Sequence, residues 1–324
     1  MKFTDNAINV MTARTYKGIG KAWITKNLFT PKTEAEIVQL LSNSPKVDGQ
    51  ITIDEFNREK SHLKDVLAES KGSIDGVVAL GDADFPPIRG VVKNSEKPIF
   101  LFYCGDLSLL TSESKNVAVI GLLNPDQEIK NVERELVAGL VENGAVIVSG
   151  LALGCDTIAH RQALDSKGRT VAILPGPLND VIPAKNRALA EEIVKSNGLL
   201  ISEYLTSANS KMEMSGRYQE RDRLQALYSN SIVLSASYAK NDIGNDSGSR
   251  LAMGYAKDYS IPRVVIYDKQ YDANNPMYDL NRQILGEDSN ILLANRHNSS
   301  SVARDILLLK PKIAKKQPVQ QSMF

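Results

Sequence analysis

Residues Ala145 to His160, AVIVSGLALGCDTIAH, admit few folds. Four apolar residues, Ala145 to Val148, are too few for a helix and read as a buried parallel strand. Ser149 and Gly150 end it, and Asp156 stands where a helix N-cap belongs. Strand, glycine-rich turn and helix in this order put the turn at the carboxyl end of the strand, where backbone N–H groups and the helix dipole favour an anion such as a phosphate. Gly150 and Gly154 leave room for one. A tight strand-to-helix turn with no ligand is the competing reading, because short glycine motifs have many false positives.

The neighbouring sequence repeats the pattern. Val117 to Ile120 reads as a buried strand and Asn131 to Asn143 as a helix with Val132, Leu136, Leu140 and Val141 on one face, closed by Gly144. A helix from Thr157 ends at Gly168, Thr170 to Leu174 is the next strand, and Lys185 to Ser196 the next helix. Leu199 to Ile201, Ser231 to Leu234 and Arg263 to Ile266 complete the apolar strands, with helices near Glu220 to Tyr228 and Gly248 to Asp258 between them. This alternation predicts an α/β fold, a Rossmann-like doubly wound, mostly parallel sheet with helices on both faces.

Ahead of it, residues 1–72 read as a small N-terminal helical domain ending near Lys71-Gly72-Ser73. Within it, Gly18-Ile19-Gly20-Lys21 followed by an apolar helical face resembles a helix-hairpin-helix turn, with a plain turn between packed helices as the alternative. The core is expected over residues 73–270 and a C-terminal extension over 271–309, in which Tyr271 to Asn290 lack periodicity and Ile291 to Ala294 and Val302 to Leu309 form a last strand and helix. Residues 310–324 read as an unfolded basic tail.

The 324 residues carry 39 basic and 38 acidic side chains, so any nucleic-acid site must be a local patch. Cys104 and Cys155 have no partner spacing for a metal site or disulfide framework, and no stretch approaches membrane-spanning length, so no metal, cofactor or membrane is expected and the location reads as cytoplasmic. Ligands of open α/β sheets gather beyond the carboxyl ends of the strands. Taken strand by strand, that surface collects Gly121; Ser149, Gly150, Gly154, Asp156 and His160; Lys185, Asn186 and Arg187; Ser202 and Glu203; Arg217, Arg221 and Arg223; and Ser247, Gly248, Ser249 and Arg250. Cations, glycines and hydroxyls at strand ends suit a phosphate backbone, and they read as a polyanion groove. Bland roles compete: packing or capping for His160, N-capping for Asp156, orientation of a neighbouring cation for Glu203, and a solvated charged helix end for Arg221 and Arg223 beside Glu220 and Asp222. No catalytic constellation is evident.

The order of GDADFPP, KPIFLFYCGDLSLL, VAVIG, SGLALGCDTIAH, LPGPLNDVIPAKNR and LLISEY, from about Gly76 to Asp268, resembles the DNA-processing protein A family, DprA or Smf. The resemblance implies a protein that binds single-stranded DNA at the strand-end surface without known hydrolysis, hands the strand to the recombinase RecA and commonly forms a homodimer. Its setting could be uptake of foreign DNA, general recombination or phage defence. Exposed apolar ends of Leu224, Leu227 and Tyr228, or the last helix, would serve for the dimer. No winged-helix domain is expected after the sheet, since few residues remain. The resemblance carries to Ser149-Gly150, Gly154, Asp156, His160, Asn186-Arg187 and Ser202-Glu203. It lapses at Gly121, where Leu122-Leu123-Asn124 replaces the usual Ser-Arg, and at Glu220-Arg221-Asp222-Arg223, which stands for Arg-Arg-Asn-Arg; Ser247-Gly248-Ser249 keeps the usual Ser-Gly-Ser. Fewer cations and added acids should weaken DNA binding and flatten its salt dependence, with Arg217, Lys211 and Lys185 as compensation. Backbone contacts would confer no sequence specificity.

Two further expectations stand beside this. A nucleotide-binding or nucleotide-cleaving enzyme of a related Rossmann-like branch is the alternative, suggested by the altered Gly121 loop, although Leu174-Pro175-Gly176-Pro177 lacks the Pro-Gly-Gly-x-Gly-Thr run of the phosphoribohydrolases. In the tail, Gln320-Gln321-Ser322-Met323-Phe324 resembles the peptide by which bacterial replication proteins dock on the sliding clamp, with Gln320, Ser322, Met323 and Phe324 as its anchors.

Overall fold

A computed structural model describes residues 1–70, 72–239 and 248–312 of the chain. Ser247 and the tail residues Gln320, Ser322, Met323 and Phe324 lie outside the described residues.

Four helices open the chain: α1 (Asp5–Thr15), α2 (Lys21–Asn27), α3 (Glu34–Ser42) and α4 (Ile53–Glu69). Thr33 and Thr52 start α3 and α4 as capping boxes, each hydroxyl accepting from the N3 amide while Glu36 or Glu55 reaches back to the cap. Strands β1 (Gly76–Ala79) and β2 (Phe100–Gly105) follow as an antiparallel pair. Then come β3 (Asn116–Ile120), α5 (Gln127–Glu142), β4 (Val146–Ser149), α6 (Cys155–Asp165), β5 (Arg169–Leu174), α7 (Arg187–Lys195) and β6 (Leu199–Ser202). The second half adds α8 (Lys211–Leu227), β7 (Ser231–Leu234), α9 (Ser249–Asp258), β8 (Arg263–Ile266), α10 (Lys269–Asp272), α11 (Asp279–Glu287), β9 (Leu292–Ala294) and α12 (Ser299–Leu308).

The nine strands form one sheet in the order β1-β2-β6-β5-β4-β3-β7-β8-β9. From β6 to β9 every pairing is parallel, and β2 joins β6 antiparallel. The expected Rossmann-like sheet is present. Successive strands step one way from β3 to β6 and the other way from β7 to β9, so the winding reverses between β3 and β7. Such a switch point opens a crevice at the carboxyl ends of the two strands.

The N-terminal helices do not form a core of their own. Ile8, Ile24, Leu41 and Phe56 share one apolar cluster with Val77, Phe102, Ala172, Leu189 and Leu200 from the sheet and α7. Polar contacts follow the same seam: Lys2 bridges to Gly76, and Asn6 Nδ2 donates to the Leu80 carbonyl and to Asp82. Two expectations need correction elsewhere. Residues 271–290 contain α11, whose Leu280 and Ile284 are buried. Leu224, Leu227 and Tyr228 are core residues rather than an exposed apolar end, because α8 is longer than expected and turns its C-terminal third under the sheet. Apolar exposure at the other end of the chain falls on Leu293 and Leu308.

The shared core predicts one cooperative unfolding transition. Fluorescence of Trp23, on α2, and far-UV circular dichroism should give coincident urea curves; a Trp23 transition at lower urea would mean that the helices fold separately.

Candidate nucleic-acid interface

Where the winding reverses, Gly121 leaves β3 and the loop 150–154 leaves β4. Both are packed against neighbours so closely that a side chain cannot be added. A Cβ on Gly121 would meet Cys155 Sγ at 2.6 Å, and one on Gly150 would fall on Arg221 Nη1. Gly154, with φ +75°, lies against the carbonyls of Leu122 and Leu123. It is also the N-cap of α6, so Asp156 is not the cap as expected. Instead, the Asp156 carboxylate turns back and accepts from the amides of Gly150 (3.1 Å) and Ala152 (3.3 Å).

Arg221 enters this loop from α8. Its Nη1 is 3.6 Å from Asp156 Oδ2, its Nε is 3.4 Å from Asp222 Oδ1, and Nη1 donates to Gln225 Oε1 at 2.8 Å, which also accepts from the Gly150 amide. The guanidinium carbon stands 5.7 Å from the Tyr218 ring centre. Tyr218, Arg221, Asp222 and Gln225 follow the i, i+3, i+4, i+7 spacing of one helical face. Burial, partly offset by Arg221, raises both carboxyls: Asp156 above its ordinary range and Asp222 up to about 7, where the neighbouring Asp156 adds to the rise. These groups line a cavity of about 330 Å³ together with Leu123, Leu153, Pro183 and Ser249.

Several residues expected on the surface brace it from inside. Ser149 and Ser202 are fully buried and donate to the carbonyls of Val119 and Gly176. Asn186 Nδ2 donates to the carbonyls of Leu151 and Ala152 and to Thr157 Oγ1, which fixes the loop before α6. Ser249 Oγ, at the start of α9 beside the N-cap Gly248, donates to the Gly121 carbonyl. His160 is fully buried in α6, with Nδ1 2.7 Å from Thr170 Oγ1. The Thr170 hydroxyl already donates to the Ile147 carbonyl, so Nδ1 carries the proton and Nε2 faces no partner. Burial, then the charge of Arg221, lowers its pKa to about 3, so the ring is neutral.

The cations divide in the same way. Arg223 is 2% exposed and bonds both oxygens of Glu203 at 2.8 Å. Lys21 of α2 completes the cluster, 2.5 Å from Glu220 and 3.4 Å from Glu203. Arg217 lies within α8, which begins earlier than the expected Glu220; it is held by Glu213, the Thr206 carbonyl and the Tyr204 ring, 4.2 Å from its centre. Arg223 and Arg217 are thus internal ties and are corrected out of the open surface. So is Lys21, the basic residue of the Gly18-Ile19-Gly20 turn. Lys185 and Arg187 are exposed beside Pro183, and the ion pair of Arg187 with Asp180, at 3.1 Å, is a surface pair worth about 0–1 kcal/mol. Lys211 is exposed and Arg250 half-buried.

Sequence reasoning missed Tyr218, Asp222, Gln225 and Lys21 as members of the site; the helical spacing on α8 is the signal that marks the first three. It also missed Glu133 of α5, wholly buried beneath Cys155 and Ser235, whose pKa burial pushes up to about 8.

A family model described as DNA recombination-mediator protein A matches residues 76–292. The chain belongs to this family. Protein Smf of Synechocystis is 30% identical over 221 residues, 66% of this chain and 52% of its own length. DNA processing protein DprA of Streptococcus pneumoniae is 41% identical over 110 residues, 34% of this chain and 37% of its own. The chain thus spans about half the length of such relatives, or less. The X-ray structure of the pneumococcal DprA matches with a TM-score of 0.69 at 21% identity, covering 97% of this chain and 100% of that one, which speaks for the fold. DNA processing protein A of Helicobacter pylori, described for its single-stranded DNA binding mode, matches with a TM-score of 0.57 at 27% identity over 72% of this chain and 97% of its own. The family match falls on the sheet and leaves α1 to α4 outside it. Among the described residues no helix is long and apolar enough to cross a membrane, and no group of three acidic, His or Cys side chains is placed to hold a metal ion.

Glu133 supplies a test of the interior under the loop. The native state keeps its proton up to about 8, whereas an unfolded glutamate loses it near 4.5. Stability from this group is therefore full below the lower value and is lost as pH rises through the upper one. Glu133→Gln should gain on wild type over that window, by about 4 kcal/mol at its alkaline end, in urea denaturation at a series of pH values. Parallel curves for the two proteins would show that Glu133 is ionised in the fold.

Proposed function

We propose that the chain binds single-stranded DNA across the carboxyl ends of its parallel strands and acts as a recombination mediator that passes the strand to the RecA recombinase. The observation that carries this reading is the pair of exposed cations, Lys185 and Arg187, in the segment that leads from β5 into α7 and whose Pro183 lines the switch-point cavity, in a chain of this family. Asn186 between them ties this segment to the loop 151–152, which anchors the backbone that carries the two cations. The Helicobacter relative, described for its single-strand binding, supports the ligand class. Binding rather than catalysis suits a surface whose histidine is buried and neutral. The last helix, with exposed Leu308, and the edge strand β9, with exposed Leu293, are the faces we assign to self-association.

The number of free cations sets the salt dependence. Lys185→Ala and Arg187→Ala should each weaken binding to oligothymidine and lower the log–log salt slope by about 0.7 in fluorescence anisotropy. Arg217→Ala should leave the slope unchanged, since its guanidinium is spent on Glu213 and Thr206. No binding by wild type at low salt would overturn the strand reading.

A second partner is proposed from sequence alone. Gln320-Gln321-Ser322-Met323-Phe324 pairs a polar anchor with two large apolar side chains, the chemistry that suits the peptide pocket of a sliding clamp. Deleting residues 320–324 should abolish clamp pull-down while oligonucleotide affinity stays as it was; clamp capture by the truncated chain would refute the assignment.

A further inference from the structure

Phosphate is a poor match for the cavity at the switch point. Its one described cation, Arg221, already faces Asp156, Asp222 and Gln225, so with both carboxyls ionised the described lining is net negative. A second cation is a poor match as well, because it would enter beside the Arg221 guanidinium. What remains is a neutral, flat group with N–H donors. The walls suit one: Leu123, Leu153 and Pro183 are apolar, Tyr218 offers an aromatic face, and Asp156 and Asp222 offer carboxyl oxygens as acceptors, which bound N–H donors would hold in the ionised form. Both carboxylates are more than nine-tenths buried, so donors that reach them act with little competition from water.

We propose that this cavity takes one unstacked guanine base, stacked against Tyr218 and read through its N1–H and N2 amino donors by the Asp222 carboxylate. The proposal rests on the strand reading above and deepens it, since it adds base preference to a surface whose phosphate contacts carry none. Guanine is the base with two donors side by side on its pairing edge. Adenine and cytosine present a single amino group there, and thymine one imino N–H between two carbonyls that a carboxylate would repel. The cavity volume of about 330 Å³ is at the lower end of small-ligand pockets, room for a base and part of its sugar. Lys185 and Arg187, exposed just beyond the lining residue Pro183, are the cations we assign to the flanking phosphates, and aromatic stacking is the usual way a single-strand site seats a splayed base.

The test is anisotropy with a labelled oligothymidine carrying one central guanine, adenine, cytosine or hypoxanthine, together with thermal shift by free guanosine and thymidine. Wild type should bind the guanine strand about fivefold or more tighter than the others, and hypoxanthine, which lacks the N2 amino group, should lose most of that gain. Asp222→Asn, an isosteric change, should level the four affinities, and guanosine should raise the melting temperature of wild type alone. Should that variant fail to fold, Tyr218→Leu, on the partly exposed face of α8, should weaken every strand while keeping their order. Equal affinities for all four strands with no guanosine shift would overturn the guanine assignment and leave single-strand binding intact. A guanosine shift with no strand bound would overturn the strand reading and keep the cavity as a site for the free nucleoside. A guanine preference that survives Asp222→Asn would refute the role given to that carboxylate.

Discussion

A guanidinium withdrawn from water needs acceptors nearby, and for Arg221 they come from the start of α6 and from its own helix. Arg221 reaches Asp156 on α6, Asp222 and Gln225 on its own helix, and Gly150 has no side chain because Arg221 occupies that space. Breaking a buried pair by removing one partner costs about 3–5 kcal/mol, so the loop, α6 and α8 are held as one unit. The geometry of the strand-end surface follows from that constraint. The cavity exists because Tyr218, Asp222 and Gln225 are carried in with Arg221 on one helical face.

The parallel part of the fold was legible because it repeats. Runs such as Val117 to Ile120 and Thr170 to Leu174, each followed by a helix with a clear apolar face, define βα units, and burial confirms them. Less legible was what depends on distance across the fold. Nothing local in Lys21 shows that it meets Glu203 and Glu220, nearly two hundred residues away. Equally, Arg223 and Arg217 read as surface cations until their partners are seen, because one sequence pattern serves a solvated helix and a buried clamp. The residues 279–287 were hidden for another reason: with Leu280 and Ile284 as its buried apolar residues and the polar Asn281 buried beside them, α11 is too short to establish an apolar period.

The two acids that interrupt the basic run on α8 acquire separate meanings. Glu220 neutralises Lys21 and lies 3.4 Å from Arg223, so it belongs to the tie between α2 and the sheet. Asp222 belongs to the cavity. The strand-end surface is therefore layered: hydroxyls and amides of Ser149, Ser202 and Asn186 brace it from below, a carboxylate-lined cavity occupies its centre, and Lys185 and Arg187 stand at its edge.

The cluster of Lys21, Glu203, Glu220 and Arg223 has a consequence for how the first helices can vary. An apolar seam alone tolerates sliding, because one methyl group replaces another at little cost. Charges paired at a seam, with Glu203 and Arg223 buried, do not, since a shift of a few ångströms leaves each facing the wrong neighbour. The hydrocarbon contacts between α1 to α4 and the sheet are free to drift in composition, while the four charged side chains act as a key cut for one lock. A helical unit exchanged from another chain would have to bring a cation to the same point in space, or reach the sheet in the wrong orientation.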